Sequence, residues 1–361
     1  MDLYSNEQYV DDVRYVAEMH LPWEKLQDKT ILLSGCTGMI GSFLVDVIME
    51  KNSSDGLSCI VLGMCRDEKR AAERFGKHIS NPKLKIMSCD VCEPLSGCDA
   101  VRADYVLHLA SNTHPLQYST DPIGTISTNI MGLKNLLDYT AAHGTARFLF
   151  ASSNEVYGEN RGDVELFDEE YCGYIDSNTL RAGYPESKRC GEALCQAYRR
   201  QKGMDVVIPR LTRTYGPTML MNDTKAISQF IINALLGKDI VLKSSGEQYY
   251  SYQYVADSVA GLLTVLLCGE NGQAYNIAEE HSDIMLKDLA SFIADSCQLK
   301  VVYEMIPDAI ESAGYSTATK ARLDGRKLQK LGWNPRYDIR AGIIRTISIL
   351  NSEYENNKSH V

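Results

Sequence analysis

Tyr184 and Lys188 stand four residues apart in Tyr-Pro-Glu-Ser-Lys, which opens a stretch with helical spacing through Leu194, Ala197 and Tyr198. Residues four apart share a helix face, so the phenol and the ammonium project together. A nearby cation favours the phenolate, which lowers the tyrosine pKa and makes it a base for a hydroxyl proton. Taken alone, the same pair is also an ordinary surface contact. A second reactive group, Ser152, Ser153, Asn154 and Glu155, follows the apolar run 148–151. It places hydroxyls and a carboxylate just past a strand end, where ligands bind in open α/β sheets.

A third group is Gly35, Gly38 and Gly41, which follow the apolar run 30–34 and precede an apolar helix through Phe43, Leu44, Val47 and Ile48. Gly35 suits the tight turn, Gly38 lets a pyrophosphate approach the backbone at the helix N-terminus, and Gly41 permits close packing of helix on strand. Thr37, Met39 and Ile40 complete this expected dinucleotide loop. Its glycine spacing departs from the usual fingerprint, and a bare βα turn would also use it. After the run 60–64 come Arg66 and Asp67. The arginine suits a 2′-phosphate or the adenine face and the aspartate suits ribose hydroxyls, so NAD and NADP both stay open.

Positioning these groups requires a scaffold, and the chain supplies one. Runs rich in strand formers at 30–34, 59–64, 85–88, 105–109 and 147–151 alternate with helical stretches, which predicts an α/β fold with a doubly wound parallel sheet. The 361 residues suffice for one large or two ordinary domains. We expect an N-terminal helical arm over 1–29, with Tyr9, Val13, Val16 and Ala17 on one face. A dinucleotide-binding domain is expected over 30–207, with residues 247–268 returning to it. A smaller lobe over 208–350 and a frayed tail over 351–361 follow. The net charge of -10 disfavours nucleic acid and anionic membranes as partners. The longest nearly apolar stretch, 259–268, is far short of a bilayer span, and the acidic start lacks the features of a secretory signal. Eleven spread cysteines in a chain of this size fit reduced thiols and a cytoplasmic setting. Cys89 and Cys92 have no second ligand pair near them, so no metal is expected.

Glycine loop, Ser-Ser-Asn-Glu segment and Tyr-x-x-x-Lys together resemble the extended short-chain dehydrogenase/reductases, the group of nucleotide-sugar epimerases, dehydratases and decarboxylases. The similarity runs from about residue 30 to 335 and implies a Rossmann domain with Ser153, Tyr184 and Lys188 as catalytic triad. It also implies Asp90 and Val91 at the adenine, with Leu109, Ala110, Ser111 and Asn129 beside the cofactor. In that group the 4,6-dehydratases resemble this chain except at Asn154, where they carry an acid that protonates the leaving hydroxyl. An amide cannot do this, while Glu155 remains as a base. The segment after the triad serine resembles that of the UDP-glucuronate decarboxylases more closely, as do Arg181-Ala-Gly-Tyr184 and Thr214-Tyr-Gly-Pro217. Two arginines of those enzymes are replaced here by Thr218 and Tyr250.

The resemblance implies a nucleotide-diphosphate sugar as substrate, contacted by His114, Arg181, Arg213, Thr218, Asn222, Lys225, Tyr250 and Arg322. It implies a tightly bound NAD and a homodimer. Decarboxylation leads, with 4-epimerisation or 4,6-dehydration of a neutral hexose as alternatives. A reductase that releases NADP each cycle and a non-catalytic dinucleotide sensor are further readings.

Overall fold

A computed structural model describes residues 3–95, 102–113, 115–304 and 318–358. The first five strands, β1 (Thr30–Ser34), β2 (Ile60–Cys65), β3 (Leu84–Ser88), β4 (Tyr105–His108) and β5 (Arg147–Phe150), lie within one residue of the bounds expected from sequence. β6 (Ser152–Ser153) and β7 (Val206–Leu211) follow. The smaller lobe then opens with β8 (Arg213–Tyr215), β9 (Ile240–Leu242) and β10 (Tyr249–Tyr254). β11 (Ala274–Ile277) rejoins the main sheet, while β12 (Asp283–Met285), β13 (Val301–Tyr303) and β14 (Lys320–Ala321) belong to the lobe.

The main sheet runs β11-β7-β5-β4-β1-β2-β3, with short β6 beside β7, and these pairings are parallel. Strands such as Ile31 to Leu33 are buried on both faces because crossover helices cover them. On one side the helix Met39–Asp55 buries Phe43, Leu44, Val47 and Ile48. On the other, Leu133–His143 buries Leu133, Leu136 and Leu137. Strand order reverses between β1 and β4, which leaves a crevice beyond their C-terminal ends. The lobe closes that crevice. Its central strand β10 pairs parallel with β8 and β14 and antiparallel with β12, and β9 pairs with β13.

Two boundary expectations are corrected. The segment 247–268 splits: β10 stays in the lobe because its pairing edges face β8 and β12, and only the helix Val255–Cys268 and β11 return to the main domain. The helix Ile339–Lys358 extends into the expected tail as far as Lys358. Glu353 is buried there and accepts a hydrogen bond from Ser5 at 2.7 Å.

The N-terminal helix Glu7–Ala17 buries Tyr9, Val13, Val16 and Ala17, as their spacing predicts. Its buried Asp12 accepts hydrogen bonds from Tyr254 (2.6 Å), Tyr337 (2.7 Å) and Arg345 (2.7 Å). One carboxylate thus joins the arm, β10 and the last helix. The described cysteines are free thiols. Among the described residues no helix is long and apolar enough to cross a membrane.

Candidate active site

The crevice holds a cavity of about 590 Å³, walled on one side by the ends of the main-sheet strands and on the other by the lobe. At its floor β1 turns through Gly35, whose φ is +74°. A Cβ there would lie 2.7 Å from the backbone nitrogen of Ala110, and one at Gly41 would lie 2.2 Å from the carbonyl oxygen of Gly35. Gly38 caps the helix Met39–Asp55 without any side-chain hydrogen bond. The first-turn N–H groups therefore have no side-chain acceptor, and Gly38, Met39, Ile40 and Gly41 line the cavity. Such a glycine cradle at a helix N-terminus fits the pyrophosphate of a dinucleotide.

Ser34 and His108 end β1 and β4, and Ser34 Oγ lies 2.8 Å from His108 Nδ1 while accepting from the Ala110 N–H. This contact ties the two strands where the sheet order reverses. Burial pushes His108 down to about 3, so its ring is neutral. Thr37 and Ala110 sit in the same turns, outside the cavity wall itself. Asp90 and Val91 follow β3, where Asp90 accepts from the Cys92 N–H at 2.9 Å and Val91 fills the space above Gly132. Asp67 caps the helix Glu68–Arg74 by accepting from the Arg70 N–H. Arg66, exposed beside it, does not line the cavity.

Ser153, Tyr184 and Lys188 meet at the sheet wall. Ser153 ends β6, and its hydroxyl accepts from the Glu155 N–H at 3.3 Å. Tyr184 lies in the first turn of the helix Gly183–Lys202, which packs closely because Gly191 touches the Phe150 ring. Burial pushes the Tyr184 phenol up to about 12; hydrogen bonds from Ser153 and Ser111 and the charge of Arg181 oppose that rise, and the charge of Glu155 adds to it. Lys188 lies on the same side of the helix, its Nζ 5.9 Å from the Tyr184 ring centroid, as the spacing predicts. Its ammonium donates to the Ala151 carbonyl at 2.9 Å, and burial pushes it down to about 7.

Asn129 lies one hydrogen bond behind the cavity wall. It is fully buried, accepts from Ser111 at 2.7 Å and donates to Ser187 at 2.8 Å. It thereby positions the Ser111 hydroxyl and the catalytic helix rather than lining the cavity. Asn154 and Glu155 do line it, and Leu109 and Ser111 face the glycine loop. Arg181 Nη2 lies 2.7 Å from both carboxylate oxygens of Glu155. The same guanidinium covers Tyr118, whose ring stacks on Tyr184 at 4.8 Å. Tyr118 has no motif around it, so sequence reasoning missed it.

On the lobe wall the Arg213 guanidinium lies 3.4 Å from the Tyr250 ring centroid. The Tyr250 hydroxyl donates to the Ala318 carbonyl at 2.6 Å. Lys225 lines the cavity while paired with Asp223 at 2.9 Å. Three expected substrate contacts are elsewhere. Arg322 is held by Asp283 (2.7 Å) and Glu165 (3.2 Å). Thr218 is buried and donates to the Met39 carbonyl at 2.9 Å. Asn222 is exposed and off the cavity wall. His114 lies outside the described residues. Lys243, Gln248 and Glu304 line the lobe wall instead. They were missed because short lobe strands bring them in from segments with no motif. Among the described residues no group of three or more His, Cys, Asp or Glu is placed to hold a metal ion.

Residues 31–278 match the model of the NAD dependent epimerase/dehydratase family. The chain belongs to that family. Among curated relatives of this family member, UDP-glucuronic acid decarboxylase 1 of Xenopus tropicalis is 33% identical over 91% of this chain and 73% of its own length. UDP-glucuronic acid decarboxylase 5 of Arabidopsis thaliana is 33% identical over 87% of this chain and 86% of its own. Its fold is shared with the UDP-glucose 4-epimerase of Thermotoga maritima, crystallised with UDP-glucose (TM-score 0.78, 22% identity, covering 90% and 99% of the two chains). The dTDP-glucose 4,6-dehydratase of Streptomyces venezuelae, crystallised with NAD, is similar too (TM-score 0.77, 23% identity, covering 91% and 98%).

Proposed function

We propose that this family member oxidises a nucleotide sugar at C4 with a tightly bound nicotinamide dinucleotide and decarboxylates a substrate of the UDP-glucuronate type. The observation that carries this reading is the meeting of Ser153, Tyr184 and Lys188 with Glu155 and Asn154 in one cavity above the glycine cradle. The decarboxylase names of its relatives support the finer part. NAD is the cofactor of this reading, as in the dehydratase of similar fold; the exposed Arg66 keeps NADP in view.

The glycine loop and the first turn of the helix Met39–Asp55 would hold the cofactor's pyrophosphate. When bound, the dinucleotide supplies the hydride acceptor and donor. Tyr184 takes the proton of the sugar's C4 hydroxyl, which Ser153 orients. The hydrogen bond from Ser153 and the charge of Arg181 favour the phenolate, and the charge of Glu155 opposes it. A ketone at C4 of a uronate makes the C6 carboxylate β to a carbonyl, so carbon dioxide leaves with its electrons delocalised into an enolate. Asn154 cannot donate the proton that dehydration would require.

Incubation of the purified protein with UDP-glucuronate and no added reductant, followed by mass analysis, tests this. A UDP-pentose is expected. An isomeric UDP-uronate would replace decarboxylation by 4-epimerisation. A homodimer belongs to the same reading, supported by the exposed apolar side chains Leu116, Ile123, Ile126, Met131 and Leu180.

A further inference from the structure

The pair of Arg181 and Glu155 is unusual in its geometry. One nitrogen, Nη2, serves both carboxylate oxygens, while Nε and Nη1 are buried without hydrogen-bond partners. A guanidinium offers its donors in a rigid fork, and unmet N–H groups in a dry place are costly. The Tyr118 ring covers the group, and Arg181 lines the cavity on the side of the catalytic tyrosine. Each two-toothed edge of the fork includes Nη2, paired with either Nε or Nη1. Nη2 offers one N–H to each edge, so a second carboxylate that grips Arg181 bidentately competes with Glu155 for that nitrogen.

We propose that Arg181 is the receptor for an acidic group on the sugar and that Glu155 is its resident substitute. The substrate's carboxylate takes Nη2 together with one of the unmet nitrogens, and Glu155 is released as a free carboxylate beside the sugar ring. A neutral sugar leaves the internal pair closed. Arg181 thus selects acidic over neutral nucleotide sugars, and the exchange exposes Glu155 only when an acidic sugar is in place. This rests on the reading of the cavity as a nucleotide-sugar site.

The test is calorimetric binding of UDP-glucuronate, UDP-glucose and UDP to the cofactor-loaded protein, in a Tyr184→Phe background that prevents turnover. Arg181→Gln is expected to weaken UDP-glucuronate by about tenfold to a hundredfold, the range for a hydrogen bond to a charged group, with UDP and UDP-glucose within about twofold of the parent. Glu155→Gln removes the internal competitor and is expected to tighten UDP-glucuronate by about threefold or more at unchanged UDP affinity. Arg181→Lys, which keeps the charge without the fork, is expected to fall between Arg181→Gln and the parent. Retained cofactor and an unchanged melting temperature confirm that each variant is folded. Equal weakening of all three ligands by Arg181→Gln would make the pair a structural brace and overturn the inference, as would weaker UDP-glucuronate binding in Glu155→Gln. A parent that binds UDP but shows no preference for the acidic sugar overturns the inference and leaves the nucleotide-sugar reading standing. A parent that binds none of the three overturns both.

Discussion

On the sheet wall of the cavity, Ser153, Tyr184 and Lys188 come from a strand end and the first two turns of one helix. On the lobe wall, Arg213 and Tyr250 come from neighbouring strands, Arg322 is held by acids from distant segments, and Lys225 is paired with Asp223 two residues away. The sheet wall is thus fixed by local chain geometry. The lobe wall is decided by competition: what a cation there can offer the cavity depends on the carboxylates that pair with it. Arg322 loses that competition to Asp283 and Glu165, Lys225 is shared with Asp223, and Arg213 rests on an aromatic ring.

Tyr184→Phe breaks the sheet wall most directly. Removing a positioned general base lowers rates by about 10²–10⁴. The ring and its stacking on Tyr118 remain, so turnover measured by product mass should fall by that factor while the melting temperature changes little. Product at the parental rate would remove Tyr184 from the chemistry.

Arg322→Ala separates the walls by a different readout. It strips the partner from Asp283, whose side chain is 1% exposed, and breaking such a pair costs about 3 kcal/mol. Urea unfolding should show that loss with the substrate KM unchanged. A raised KM without destabilisation would return Arg322 to the substrate site.

Lys188 gives the sheet wall a pH signature. Its folded pKa is about 7 against an ordinary 10.5, so between those values the unfolded chain binds more protons. Sign follows directly: the burial penalty is fully present below about pH 7 and is relieved as pH rises toward 10. Thermal melts across that window should show stability rising with pH from this group. Lys188→Met should remove that component of the slope and abolish turnover; an identical slope in the variant would mean the ammonium is not buried.

This contrast also explains what could be read in advance. The parallel strands, the glycine loop and the Tyr184 to Lys188 spacing were legible because each depends on residues close in sequence. The spacing could not show that burial pushes Lys188 down to about 7 or that its Nζ donates to the Ala151 carbonyl. It could not show that Asn129 links Ser111 to Ser187, because that link crosses 58 residues at its longer arm. Tyr118 left no trace because its stacking on Tyr184 joins segments 66 residues apart, and Lys243 and Glu304 left none because their positions follow from how the lobe sits on the sheet. The tail's polar composition hides the buried Glu353, whose partner Ser5 lies 348 residues away.

Thr218 joins the two walls, and its substitution should have the smallest effect. Its hydroxyl donates to the carbonyl of Met39, in the loop that would cradle the pyrophosphate. Valine keeps the shape and removes the donor. The Met39 carbonyl still accepts from Ser42 at 3.3 Å, so it is not left bare, and the loss should be about 1 kcal/mol, the ordinary net value of one hydrogen bond. For a chain of this size that corresponds to a fall of about 2 °C in melting temperature. If the contact matters to the cofactor loop rather than to stability alone, Thr218→Val should also retain less nicotinamide dinucleotide after dialysis, with KM for the sugar nucleotide unchanged. A raised KM at full cofactor retention would instead place Thr218 on the substrate and reverse its assignment to the junction between the walls.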